Sequence, residues 1–302
     1  MLELIIAIVG LIGIVKAADI FIDQSIALAK KFTISSFVIG FTIVAFGTSL
    51  PELVIGLYSS YTGHTAITIS NVIGSNIANI CLILGLLAIY KPYKLTKADV
   101  FFNIPLNLIA LALFLLVVFV NGGKLDFLIG IAILSLFVAS VFLSKINNHE
   151  IKIKTRVKFN ILILFISLAG LIFFGKLSVD YFLAFSRLFG IEESVLGYFV
   201  IAIGTSLPEL IASFTAIKKG NREMGIGNIL GSNLFNLLII LGASSLITPL
   251  DLNEFLTEIG LLAFITVSLV VLAFIGKKYY FTPLEGIFLL SCYAVFVFSQ
   301  LG

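Results

Sequence analysis

Charged side chains are scarce in this chain. They make up 12% of its 302 residues, whereas soluble domains contain about 25%. So few charges cannot cover a surface that faces water, which excludes a soluble globular protein. Intrinsic disorder and a coiled coil are excluded too, because both require abundant charge. The sequence also has no basic pattern that would indicate nucleic-acid binding.

Residues that bind soft metals are nearly absent from the sequence. The two cysteines, Cys81 and Cys292, lie in apolar runs, and there are only two histidines. No Cys-x-x-Cys pair and no histidine cluster occurs, so we expect neither a zinc or iron–sulfur site nor another cofactor. The N-terminal segment contains Glu3 and lacks a basic start, so we interpret it as a membrane helix rather than a cleaved signal.

Long apolar segments are abundant, since 60% of the residues are hydrophobic. A membrane-spanning helix needs about 20 mostly apolar residues. The apolar runs are continuous, whereas a membrane β-barrel would show short alternating strands. The sequence therefore predicts an all-α membrane protein with ten transmembrane helices, over residues 3–27, 36–60, 66–90, 100–120, 125–143, 159–183, 194–217, 225–247, 257–275 and 284–301.

Basic residues are distributed unevenly among the predicted loops. Fifteen of the 19 lysines and arginines fall in the loops that follow odd-numbered helices. Because loops rich in lysine and arginine stay in the cytoplasm, both termini are predicted to be extracellular. The expected location is the cell membrane, with the lipid bilayer as the main partner and a monomer as the functional unit.

Two motifs occur twice at a constant spacing. GTSLPEL occupies residues 47–53 and returns at 204–210, and NVIGSNIAN at 71–79 returns as NILGSNLFN at 228–236. All pairs are offset by 157 residues, which indicates a duplicated unit. We predict two five-helix repeats, 1–143 and 159–302, joined by a short basic cytoplasmic loop at 144–158. An odd number of crossings inverts the second repeat, as in transporters whose substrate site lies near the bilayer midplane.

Five acidic residues fall inside the predicted spans: Asp19, Asp23, Glu52, Asp180 and Glu209. An intramembrane carboxylate is costly unless it is paired or hydrated, so it is a candidate functional residue. Glu52 and Glu209 are the strongest candidates because they are equivalent positions of the two repeats and have no basic residue in their own segments. Asp19, Asp23 and Asp180 lie nearer helix ends, where a hydrated or helix-end role is the simpler interpretation.

Oxygen-bearing side chains surround both glutamates in the sequence. Thr48 and Ser49 precede Glu52 by four and three residues, and Thr205 and Ser206 stand in the same relation to Glu209, so each pair shares a helix face with its glutamate. Pro51 and Pro208 have no N–H, which predicts a kink and a freed carbonyl four residues earlier. Polar stripes follow on the next helices, with glycines that permit close helix packing: Asn71, Ser75 and Asn79 beside Gly74, and Asn228, Ser232 and Asn236 beside Gly231.

All of these groups are hard oxygen donors. Such a set suits Ca²⁺ or Na⁺ and argues against copper, zinc or iron. Two carboxylates balance one divalent ion or two monovalent ions, which suggests that one is exchanged for the other. The simpler alternative is that the hydroxyls pack, the amides bond between helices and the prolines only kink. Asn71 and Asn228 fit either interpretation.

The paired GTSLPE and GSNxxN motifs resemble the repeats of the cation/Ca²⁺ antiporter superfamily, and more narrowly the sodium/calcium exchanger family. The resemblance implies that Glu52 and Glu209 are the central Ca²⁺ ligands and also serve Na⁺. It further implies that spans 1 and 6 slide to alternate access. The other implied ligands, through side chains or carbonyls, are Thr48, Ser49, Thr205, Ser206, Ala45, Ala202, Ser75, Ser232, Asn79 and Asn236.

The chain also departs from the pattern of that family. Asn236 stands where an aspartate is frequent in prokaryotic members, and asparagine in both copies is more similar to K⁺-independent exchangers. Ser70 replaces the usual glycine before Asn71, and Lys176 stands where an acid is common.

The expected function is therefore a secondary active antiporter that exports Ca²⁺ in exchange for Na⁺. Three alternatives remain open from the sequence. A Ca²⁺/H⁺ antiporter of the same fold would use the two glutamates as proton carriers. A cation channel could also use broken helices, whereas an intramembrane enzyme lacks a nucleophile–base pair.

Overall fold

The computed structural model describes residues 2–147, 157–187, 205–275 and 279–301. Nearly all of these residues are helical. The helices are α1 (Leu2–Phe32), α2 (Ser36–Thr48), α3 (Leu50–Tyr61), α4 (Thr65–Tyr90), α5 (Asp99–Val120), α6 (Phe127–Asn147), α7 (Ile161–Arg187), α8 (Leu207–Lys218), α9 (Arg222–Ile247), α10 (Leu256–Ile275) and α11 (Pro283–Leu301). The strands are β1 (Tyr93–Lys94), β2 (Lys124–Leu125), β3 (Leu250–Asp251) and β4 (Tyr280–Phe281).

Six helices of the described ranges are long and apolar enough to cross a bilayer, namely α4, α5, α6, α9, α10 and α11. The bent pair α2–α3 raises this number to seven when it is counted as one span. α1 and α7 lie over the predicted first and sixth spans. The seventh predicted span, 194–217, is described only from residue 205 onward, where it contains α8. The protein is therefore a mostly helical membrane protein.

The 157-residue offset of the sequence motifs also relates α4 to α9. Both helices contain a π-helical segment in which the turns are widened, at Ala78–Ile83 in α4 and at Phe235–Ile240 in α9. The two segments begin and end at equivalent positions of the repeats. Because π-helical turns are rare and often occur at functional sites, their repetition indicates that this distortion is a shared feature of both copies.

The chain forms two compact units, and each contains segments from both repeats. The first unit comprises residues 1–51, 148–232 and 297–302, and the second comprises 52–147 and 233–296. The core of the first unit is formed by α1 with α7 and α8. Phe21, Leu171 and Ala212 are fully buried there, as expected for helices that hide apolar faces against one another.

α2 and α9 approach each other closely in the first unit. A Cβ atom added at Gly40 would lie 2.2 Å from the carbonyl oxygen of Met224, and one added at Gly231 would lie 2.3 Å from that of Phe41. No larger side chain fits at either position without displacing backbone. The predicted role of Gly231 in close helix packing is thereby confirmed.

The second unit is organised around α4. In the most apolar 18-residue stretch of α4, 83% of the residues are buried, whereas 22% are buried in the corresponding stretch of α6. α4 is therefore a central helix, whereas most of α6 is left to face lipid. Two short antiparallel ribbons complete this unit, because β1 pairs with β4 and β2 pairs with β3.

Candidate cation-binding site

The repeated GTSLPE motif breaks a helix in the first copy and directly precedes a helix start in the second. Ser49 and Ser206 have nearly the same non-helical backbone, with φ and ψ of −87° and 10° at Ser49 and of −85° and 4° at Ser206. Each serine is followed by a helix whose second residue is the motif proline. In the first copy, α2 and α3 meet at an angle of 51°. The kink predicted from Pro51 is therefore confirmed.

A hydrogen bond links the two copies of the motif within the first unit. The Ser49 hydroxyl donates to Oε1 of Glu209 over 2.7 Å. Both side chains are completely buried. Thr48 and Ser232 are fully buried in the same unit, and the Thr48 hydroxyl bonds to Asn228, whose amide also donates to the Glu209 carbonyl. One hydroxyl thus contacts the Glu209 carboxylate directly, although the sequence spacing had placed Ser49 beside Glu52.

No basic side chain of the described residues contributes to this cluster. Among the described residues, no lysine or arginine pairs with Glu209, and its Oε2 atom accepts no hydrogen bond that meets ordinary geometry. A buried carboxylate without a counter-charge is costly in a membrane protein. Either a proton or a bound cation can remove that cost, so the site is chemically prepared for one of the two.

Asn228 holds the helices around this carboxylate in place. Its Nδ2 group donates to the Ser213 hydroxyl over 2.9 Å and to the Glu209 carbonyl over 3.4 Å. Its Oδ1 atom accepts from Thr48 over 3.2 Å. Both ends of the amide are therefore used within the protein, which supports the structural interpretation of Asn228. Ser213 was not predicted, although its position four residues after Glu209 places it on the same helix face.

The second unit contains four more of the candidates. Glu52, Ser75, Asn79 and Asn236 are all fully buried. Within the described ranges, the Ser75 hydroxyl and both amide atoms of Asn79 and of Asn236 make no hydrogen bond. Buried polar atoms are normally satisfied. These atoms are therefore available to a bound ion or to water.

The other candidates lie close to the break in the repeated motif. Ala45 is buried, and its carbonyl oxygen accepts hydrogen bonds from the Ser49 amide over 3.0 Å and from the Thr48 hydroxyl over 3.3 Å. Thr205 and Ser206 are buried, and the Ser206 hydroxyl makes no hydrogen bond within the described part of the chain. Ala202 lies outside the described residues.

Asp19 and Asp23 take no part in this cluster. The Lys219 ammonium lies 2.9 Å from Oδ1 of Asp19 and 2.7 Å from Oδ1 of Asp23. It also donates to the Asp19 carbonyl oxygen over 2.7 Å. The two aspartates therefore bind α1, which continues to Phe32, to the residue that follows α8.

Comparison with known proteins identifies the family. The family described as sodium/calcium exchanger protein matches residues 2–145 and 159–302. The chain belongs to the sodium/calcium exchanger family. It is 31% identical to the sodium/calcium exchanger MaX1 of Methanosarcina acetivorans, over 97% of both chains. It is 32% identical to the inner membrane protein YrbG of Escherichia coli, over 82% of this chain and 80% of that protein.

The fold of this sodium/calcium exchanger family member agrees with solved structures. A structure of the sodium-calcium exchanger NCX_Mj soaked with Na⁺ and Ca²⁺ has a TM-score of 0.83 and 31% sequence identity, and covers 98% of this chain and 97% of that one. Another, soaked without either ion, has a TM-score of 0.84. The protein is thus an ion-transporting antiporter of the cation/Ca²⁺ exchanger type rather than an enzyme.

Proposed function

We propose that this exchanger exports Ca²⁺ across the cell membrane and admits Na⁺ in return, by alternating access to a buried oxygen-lined site. The observation that carries the proposal is the hydrogen bond from Ser49 to Glu209. It presents a buried carboxylate with a hydroxyl oxygen 2.7 Å away and, among the described residues, no basic counter-charge. Hydroxyl oxygens suit Na⁺ and carboxylates suit Ca²⁺, whereas a pure proton carrier requires no such neutral ligands.

The proposed ligand set has the two glutamates as its charged members. Glu52 and Glu209 carry the exchanged cations, and the neutral groups complete the coordination of whichever ion is bound. The support is the complete burial of both carboxylates and of most neutral oxygens. The neutral members are Thr48, Thr205, Ser49, Ser206, Ser75, Ser232, Asn79 and Asn236 through their side chains, and Ala45 and Ala202 through their carbonyls.

Charge balance explains why one ion replaces the other. Two carboxylates supply a charge of about −2, which one Ca²⁺ cancels. Adding Na⁺ to that occupied site would leave uncompensated charge in a low-dielectric interior, at a cost of several kcal/mol. The two ions therefore exclude each other. An empty site has bare negative charges, so it crosses the membrane barrier poorly and leak is suppressed.

We also propose two inverted five-helix repeats, 1–143 and 159–302, in a monomer with both termini outside the cell. The equivalent positions of α4 and α9 support the duplication. The strand pairing supports inversion, since the repeat offset relates β1 to β3 and, within one residue, β2 to β4. Exchanging the copies then turns the β1–β4 pair into the β3–β2 pair.

The test is ⁴⁵Ca²⁺ uptake into proteoliposomes that contain the purified protein. Vesicles are loaded with Na⁺, K⁺ or acid in turn and diluted into medium without that gradient ion. We expect uptake to follow the outward Na⁺ gradient alone. Glu209→Gln serves as the inactive control for vesicle leak.

Other outcomes of this assay have clear meanings. Uptake driven by the H⁺ gradient and indifferent to Na⁺ would replace the proposal with Ca²⁺/H⁺ exchange. Uptake that needs no counter-ion gradient would indicate a channel.

A further inference from the structure

A small polar cavity lies within the second unit, and none of its lining residues belongs to the proposed cation site. Its polar wall consists of Asn76 on α4, Asn107 on α5, Asn233 on α9 and Thr266 on α10. Each of these side chains is at least 96% buried. Leucine and isoleucine side chains form the rest of the wall. The space is only large enough for a water-sized ligand.

Several amide atoms in this cavity have no hydrogen bond within the described residues. They are Oδ1 of Asn76, Oδ1 of Asn107, and both Oδ1 and Nδ2 of Asn233. The other end of each of the first two amides is already fixed. Nδ2 of Asn76 donates to the Asn233 carbonyl over 3.2 Å, and Nδ2 of Asn107 donates to the Asn103 carbonyl over 3.2 Å. These bonds hold the two free oxygens in the wall.

We propose that this cavity is a binding site for one ordered water molecule, which joins α4, α5 and α9. The open atoms are acceptors on three asparagines and one amide donor on Asn233. Water donates two hydrogen bonds and also accepts them, so one molecule can satisfy two of these acceptors and the Asn233 donor. A buried water typically makes about three hydrogen bonds to polar groups that would otherwise be unsatisfied.

A monovalent cation fits the same cavity poorly. Among the described residues no carboxylate lines it, so the charge of a cation would remain uncompensated in a low-dielectric interior. The Asn233 amide group would also present a donor to it. A neutral, dipolar ligand avoids both costs.

A line of buried polar groups connects the cavity with the start of α5. The Asp99 carboxylate accepts from the Thr96 amide over 2.8 Å and from Nδ2 of Asn103 over 3.0 Å. Asn103 in turn accepts from Asn107, which lines the cavity. Asp99, Asn103 and Asn107 are spaced by four residues and all buried. The water site is therefore the inner end of a polar stripe that runs along one face of α5.

The water gives Asn76 and Asn233 a positioning role. Each immediately follows a proposed ligand serine, Ser75 or Ser232, and each precedes the π-helical segment of its helix by two residues. A water molecule that hydrogen-bonds these two asparagines to α5 holds α4 and α9 in place next to the start of their π-helical segments.

The first test is a crystal structure of the protein at a resolution that shows ordered water, with a second crystal soaked in Tl⁺. We expect one density peak within hydrogen-bond distance of Asn76, Asn107 and Asn233, and no anomalous signal there after the soak. An anomalous peak in the cavity would assign it to a monovalent cation. A cavity without density would be dry. Either result overturns the proposal.

Thermal unfolding of two matched variants provides the second test. Asn107→Leu expels the water and leaves the amides of Asn76 and Asn233 buried without that hydrogen-bond partner. We therefore expect the Tm to fall by roughly 2–4 °C. Asn71→Leu is the control, because Asn71 is also buried on α4 with both amide atoms unbonded among the described residues but does not line the cavity. Its Tm should stay level or rise. A rise for Asn107→Leu as well would show that the cavity is dry.

Discussion

Ser49 donates its hydroxyl hydrogen to Glu209, a residue 160 positions later in the chain and in the other copy of the repeated motif. The serine of one motif copy therefore donates a hydrogen bond to the carboxylate of the other copy. This exchange makes the first-unit part of the site a joint product of both repeats. It also implies that a substitution in the first copy of the motif changes the hydrogen bonding of the glutamate in the second copy.

Removing either glutamate charge should stop transport without unfolding the protein. For Glu209→Gln and Glu52→Gln we expect the apparent Ca²⁺ affinity to fall roughly 30-fold or more, equivalent to about 2 kcal/mol for a lost buried charge contact. Calcium uptake and the elution profile from size exclusion are the measurements. Glu254→Gln, an exposed acid outside the cluster, is the control. Near-normal flux in either glutamate variant would remove that residue from the site.

Ser49→Ala and Ser206→Ala should differ even though the two serines are equivalent in sequence. Ser49→Ala removes a hydrogen bond to a buried carboxylate, so we expect the free energy of unfolding of the ion-free protein to fall by about 1.5–3 kcal/mol. Ser206→Ala removes a hydroxyl without a hydrogen bond in the described chain and should change stability little. Thermal unfolding in sodium-free and calcium-free buffer decides the matter. Equal losses would mean that the Ser49–Glu209 bond contributes nothing to the ion-free state.

Ser75→Ala and Ser232→Ala should weaken Na⁺ dependence more than Ca²⁺ binding. Each serine provides one neutral oxygen, and the loss of one such ligand affects a weakly held monovalent ion first. The expected result is a higher Na⁺ concentration for half-maximal exchange with a nearly constant Ca²⁺ affinity. If the Na⁺ requirement is unchanged in both variants, these serines do not bind Na⁺.

Lys219→Met should loosen α1 from the end of α8. The lysine contacts two half-exposed aspartates, so we expect the free energy of unfolding to fall by about 1 kcal/mol in the variant. Added salt screens these contacts in the wild type, so the difference between wild type and variant should shrink at high ionic strength. Lys218→Met is the control, because this neighbouring lysine is exposed. The measurement is the Tm of both variants and of the wild type at low and high ionic strength. An effect of similar size in both variants would contradict the role of the Lys219 contacts.

Gly40→Ala should destabilise the first unit by roughly 1–3 kcal/mol or more, because the new methyl group would collide with the backbone at Met224. Gly260→Ala is the matched control in α10, where an added Cβ has nothing within 4 Å. That change should stabilise the helix by about 0.5–1 kcal/mol. Denaturation of the two purified variants compares them directly. A stable Gly40→Ala protein would show that α2 and α9 can move apart.

The sequence predicted the membrane class and the kink at Pro51, because each depends on local composition or on residues close in the chain. It could not identify the partner of Ser49. Spacing along one helix placed Ser49 next to Glu52, and only the packing of α2 with α8 brings Glu209 to it. The cavity at Asn107 was missed for the same reason, since its walls come from four helices. Nothing in the sequence signalled the π-helical segments, whose residues are as apolar as those of an ordinary span.

The crossed pairing of the short strands has a consequence for how such a chain arose. β1 and β2 belong to the first copy, yet neither pairs with the other, and both find their partners in the second copy. A single-copy ancestor with these strands could have formed the same ribbons only between two molecules. A chain that carries both copies forms the two ribbons within one molecule, so their pairing does not depend on protein concentration.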